Sequence, residues 1–128
     1  MARILAALLA LFLAGNGSFM LIAPEAWYHA VPGVTETGPY NPHFVRDVGA
    51  AFTVAGLGAG WAAWRPVQGW PALVAGTGFV AIHALIHLGE ALGGHGLGSL
   101  RRDFVGVFVP ALVGLWLVFL LRPRNERS

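Results

Sequence analysis

Two short stretches of the chain gather side chains that can do chemistry. In His83-Ala84-Leu85-Ile86-His87-Leu88-Gly89-Glu90, positions 83, 87 and 90 follow the i, i+4, i+7 spacing of a helix, so both imidazoles and the carboxylate form one stripe. In Asn41-Pro42-His43-Phe44-Val45-Arg46-Asp47-Val48-Gly49, His43 and Asp47 are four residues apart and share a helix face. Imidazole nitrogen and carboxylate oxygen are good ligands for Zn, Fe, Cu or Mn. One histidine from each of two helices can hold a b-type haem. Histidine–carboxylate chains also handle protons or small polar ligands. The same groups can instead hydrogen-bond to each other and lock two helices together with no further role.

The elements that must position these groups are membrane helices. The chain of 128 residues is 56% hydrophobic and only 11% charged, with a mean hydropathy of +0.66. Soluble domains carry about 25% charged residues, so this chain is too poor in charge to cover its surface for water. Crossing a hydrocarbon core takes roughly 20 apolar residues as a helix. Four runs approach that length, at residues 4–23, 44–64, 71–92 and 104–121, with an outer loop at 24–42. The expected fold is therefore a single all-α transmembrane domain, an up-down-up-down four-helix bundle. Asn41 before Pro42 is a helix-start signal, and Gly69-Trp70-Pro71 reads as another. Pro110 should kink the fourth run. Met1-Ala2-Arg3 and the apolar run after it resemble a signal peptide, but the run continues to Ala23, which favours a retained helix.

Arginine supplies all the fixed positive side-chain charge, since there is no Lys. The arginines flank apolar runs and form no patch, which fits membrane orientation and excludes a nucleic-acid surface. With the N-terminus inside, Arg3, Arg65, Arg122, Arg124 and Arg127 are cytoplasmic, against Arg46, Arg101 and Arg102 outside. The bias places both termini in the cytoplasm. Trp61, Trp64 and Trp70 then mark the inner interface, and Trp27, Tyr28 and Tyr40 the outer one. All five histidines and all acids except Glu126 fall in the outer half.

A short inner turn joins the second and third runs, so they should be antiparallel neighbours. His83 lies roughly 13 Å below the outer end of its run, with His87 and Glu90 shallower and Asp47 at a similar depth. Ionisable groups within a membrane face the interior and tend to pair, so the two polar stripes should meet. The candidate metal set is His43, Asp47, His83, His87 and Glu90, supported from outside by Arg46, Glu25 and Asn16. As a purely structural network, Arg46 would pair with Glu90 and Asp47 with His87. Asn16, in the middle of the first run, needs a partner within the protein.

The outer loop carries Glu25, Trp27, Tyr28 and His29, which suggests a short interfacial helix covering the outer mouth. The segment Gly93-Gly94-His95-Gly96-Leu97-Gly98-Ser99 reads as a flexible turn with a solvated His95, since it lacks the Gly-Lys-Ser/Thr of a phosphate loop. Gly56 and Gly60 form a small-xxx-small pair suited to the first run or to a second copy. The tail after Leu121 reads as a basic contact for anionic lipid.

The stretches Asn41–Gly49 and Ala81–Glu90 resemble segments of small four-span bacterial membrane proteins of the DoxX-like kind. The resemblance implies a four-helix bundle in a bacterial inner membrane and implies no reaction. With no Cys, thiolate metal sites and cysteine nucleophiles are excluded. No Ser/His/Asp set, Walker loop or zincin motif points to catalysis. The open readings are a binding protein for a metal or a proton-linked ligand, a structural or accessory subunit of a larger membrane complex, and a metalloenzyme or b-type haem protein.

Overall fold

The computed structural model describes residues 1–123, leaving aside the side chains of residues 94, 95 and 97. The tail arginines Arg124 and Arg127, Glu126 and the His95 side chain therefore lie outside the described residues. Every described element is helical. Three helical stretches are long and apolar enough to cross a membrane, at Ala2–Ile22, Pro66–Gly93 and Gly98–Leu120. Their outward faces carry large apolar side chains such as Ile4, Leu11, Ile82, Leu85, Leu112 and Phe119, which water would disfavour and lipid accepts.

The first helix, α1, spans Ala2–Ile22. Pro24 cannot continue it and instead opens the short α2, Pro24–Ala30. A single 3₁₀ turn, Val34–Glu36, follows. The long α3, Pro42–Trp64, begins where the Asn41 side chain accepts hydrogen bonds from the backbone N–H groups of His43 and Phe44. It is as long as a membrane span, but its glycines, Arg46 and Asp47 make it less apolar than the three candidates above.

The next helix, α4, covers Pro66–Glu90, so it starts earlier than Gly69-Trp70-Pro71 suggested. Pro66 occupies the first turn, Pro71 lies inside the helix, and Arg65 alone joins α3 to α4. So tight a joint needs Gly69: a Cβ there would lie 2.6 Å from the Ala62 Cα.

The Gly-rich stretch is not an open turn. Helix continues through a π turn at Ala91–His95, breaks at Gly96 in the left-handed region (φ 77°), and resumes as α5, Leu97–Asp103. A second π turn, Phe104–Phe108, precedes α6, Val109–Leu120. Pro110 explains it: proline clashes with the carbonyl four residues back, and the wider turn lets the Val109 N–H bond the Phe104 carbonyl instead.

Small residues set the packing. Gly56 lies against Ala14 of α1, Gly17 against Gly49 and Thr53, Gly76 against Ala55, and Gly114 against Thr77. Gly56 thus takes the first run as its neighbour. The Arg3 guanidinium donates to the carbonyls of Ala63 and Trp64 at 2.7 and 2.9 Å, placing the start of α1 on the end of α3. Trp70 Nε1 likewise donates to the Val118 carbonyl at 2.9 Å, joining the start of α4 to the end of α6. Leu9, Leu13, Met20, Leu73, Val80 and Leu117 fill the shared core.

Candidate functional site

The polar groups that meet are on α4 and α5. His83 and His87, one turn apart on α4, stand edge to face with ring centroids 4.7 Å apart. The π turn and the break at Gly96 bring α5 back beside the end of α4. Asp103 closes α5, and its Oδ2 lies 2.8 Å from His87 Nδ1. Both side chains are largely covered, 23% exposed for His87 and 12% for Asp103. A carboxylate only accepts, so the His87 Nδ1 carries the hydrogen, and in the neutral ring Nε2 is left as an acceptor.

His83 is the deeper member. Phe52 of α3 meets it edge-on with centroids 5.5 Å apart, and Phe79 stacks at 6.2 Å. Its ring nitrogens make no hydrogen bond with the described residues. The site is therefore a half-buried imidazole pair, polarised at one end by a covered carboxylate and bordered at His83 by two phenyl rings.

Asp103 is in turn tied to the segment between α2 and α3. Arg102 Nε donates to Asp103 Oδ1 at 3.4 Å, and Arg102 Nη1 donates to Glu36 Oε2 at 2.8 Å. The guanidinium passes over Gly33, whose φ of 85° and missing Cβ make room for it. Tyr28 Oη donates to the Gly38 carbonyl at 2.6 Å and its ring leans on Tyr40. The 24–42 segment does contain the short helix expected of it, and Arg102 fastens its far part to the imidazole site.

Several expected members of the site are elsewhere. His43 and Asp47 make a mutual contact at 3.4 Å, with side chains 88% and 64% exposed. The reason is helical phase. Phe52 is the α3 residue that meets His83; His43 lies nine residues earlier, about half a turn round the helix, and Asp47 about 140° round. Arg46 does not pair with Glu90 as a locking network would require: its Nε reaches the Leu21 carbonyl at 3.4 Å. His87 takes Asp103, not Asp47. Glu90 is exposed at the last position of α4, within electrostatic reach of His83. Glu25 is exposed in the first turn of α2. The Asn16 Oδ1 accepts from Trp27 Nε1 at 2.9 Å, so it anchors α2 and does not join the polar stripe. Among the described residues, no group of three or more His, Asp or Glu is placed to hold a metal ion.

Sequence reasoning passed over Asp103, Arg102 and Glu36. One signal was present: Asp103 opens the fourth apolar run just as His87 nears the end of the third, so a short return connection brings them to the same depth. The chain matches no protein-family model, no curated protein and no solved structure.

Proposed function

We propose that this chain is a four-span membrane protein that binds a small polar ligand, with proton exchange, between His83 and His87 at one end of the bundle. In this reading α3 is the fourth span, because it lies along α1 from Arg3–Ala63 at one end to Gly17–Gly49 towards the other, and a helix alongside a span is itself in the membrane. The helices run up-down-up-down, and the arginine bias puts the imidazole end outside and both termini in the cytoplasm.

One observation carries the site: His87 donates to a covered carboxylate while the adjoining His83 ring nitrogens have no hydrogen-bond partner among the described residues. That arrangement presents nitrogen atoms to an incoming donor or acceptor and keeps a negative group behind them to balance an added proton. Below His83 no ionisable side chain is buried among the described residues, which suits binding from one side.

The test is ¹⁵N NMR of the histidine rings of the full chain in detergent. The His87 ring should carry its hydrogen on Nδ1, and Asp103→Ala should remove that preference and disturb the adjoining His83 signals. A His87 tautomer and His83 signals that are the same in Asp103→Ala would overturn the reading.

A second reading has its own support. Glu36, Arg102, Asp103 and His87 are already joined in one chain of contacts, as a purely structural clamp of an accessory subunit would be. It predicts that the protein co-purifies with a larger complex and that His83→Ala leaves this unchanged.

A further inference from the structure

The end of the molecule opposite the imidazole site carries a groove that the proposed function leaves unused. It is a channel of about 450 Å³ on the outer surface between α1 and α3. Ala7, Ala10 and Ala14 line one wall and Gly56, Gly60 and Ala63 the other, with almost no polar surface. Its floor is the close approach of Gly56 to Ala14, and at Gly60 an added Cβ would just touch Ala10 across the groove, at 3.6 Å.

The mouth of this groove is cationic. Arg3 lies one turn before Ala7 on the same face of α1, and its guanidinium is held by the carbonyls of Ala63 and Trp64 at the groove's end. Carbonyls fix its position but do not cancel its charge. Arg65 lies with its guanidinium carbon 5.0 Å from the centroid of the exposed Trp64 ring. Among the described residues no carboxylate pairs with Arg3 or Arg65.

Length argues for the occupant. From Arg3 to Ala14 is 11 residues of helix, about 16 Å. Half of a hydrocarbon core is about 15 Å. An apolar groove that starts at two arginines and a tryptophan and ends one leaflet deeper has the shape and charge pattern of a phospholipid with an anionic headgroup. A helix from a second copy would bring Arg3 and Arg65 towards another cationic surface, which charge opposes.

We infer that the α1–α3 groove is a binding site for one anionic phospholipid, whose phosphate meets Arg3 and Arg65 beside Trp64 and whose acyl chain lies over the small residues from Ala63 to Ala14. The headgroup alone has too little contact to bind, since the groove supplies most of the surface.

Native mass spectrometry of the full chain in detergent tests this, with dioleoyl phosphatidylglycerol, dioleoyl phosphatidylcholine and glycerol phosphate as probes. The expected result is retention of one phosphatidylglycerol in preference to phosphatidylcholine, with no effect of glycerol phosphate. Arg65→Gln should weaken retention of phosphatidylglycerol about fivefold, the worth of one arginine at an anionic surface. Gly60→Leu, which puts a bulky side chain into the groove beside Ala10, should abolish retention of both lipids while circular dichroism shows unchanged helix. Equal retention of the two lipids by the wild type would overturn the headgroup assignment. Competition by glycerol phosphate would overturn the acyl-chain groove. A wild-type dimer that Gly60→Leu converts to monomer, with lipid retention unchanged, would give the groove to a second copy.

Discussion

His87 Nδ1 and Asp103 Oδ2 lie 2.8 Å apart across the return from α4 to α5, and this contact ties together two helical segments that the chain itself joins only through a π turn and Gly96. Because the His87 side chain is mostly covered, removing Asp103 leaves its Nδ1–H without that acceptor. Asp103→Ala should destabilise the protein by about 1–3 kcal/mol, the cost of an orphaned buried polar group. Asp103→Asn keeps an acceptor oxygen in place and should lose less. Thermal unfolding in detergent measures both; equal effects of Ala and Asn would show that the hydrogen bond does not hold the joint.

Gly69 and Gly78 are both in α4 but should respond oppositely to alanine. A Cβ at Gly69 would be driven into the backbone of Ala62 and Trp61, whereas nothing lies within 4 Å of one at Gly78. Gly69→Ala should cost about 1–3 kcal/mol by overpacking the α3–α4 joint. Gly78→Ala should be neutral or stabilise by about 0.5–1 kcal/mol, because alanine has less backbone freedom to lose. Unfolding midpoints that fall alike for the two variants would contradict the packing described.

Thr77 is 4% exposed and faces Gly114 of α6, and its Oγ1 has no hydrogen-bond partner among the described residues. Thr77→Val replaces that hydroxyl with a methyl group of similar size. The variant should match the wild type or gain up to about 1 kcal/mol. A clear loss of stability would mean that the hydroxyl is engaged.

Gly33 and Arg102 hold the 31–40 segment against the site. Gly33→Ala imposes a left-handed φ on a residue with a Cβ, at about 1–2 kcal/mol, and pushes on the Arg102 guanidinium. Arg102→Gln removes the contact with Glu36 without that strain. Hydrogen exchange should quicken across residues 31–38 in both variants, while α3 and α4 keep wild-type protection. High salt should produce a similar local loosening in the wild type, because the Glu36–Arg102 pair is exposed enough to be screened. Exchange that quickens throughout the molecule would show that the segment is part of the core and not a separate flap.

Apolar composition and run length determined the all-helical membrane character of this chain, because a run of some 20 apolar residues has few other places to be stable. Local chemistry was equally plain in the cap at Asn41 and the break at Pro24, which depend only on neighbours in sequence. The i, i+4 spacing likewise put His83 and His87 on one stripe. Which residues would face that stripe was not legible. His43 and Asp47 satisfied every rule of depth and spacing, yet the phase of α3 is set by the burial of Val45, Gly49 and Phe52 against its neighbours, and that phase turns the pair outward. Asp103 became the partner of His87 because a π turn and Gly96 bend the chain back at that point. Helical periodicity is a property of one segment; the rotation of one helix against another is decided by the packing of all of them, and only the tertiary structure contains it.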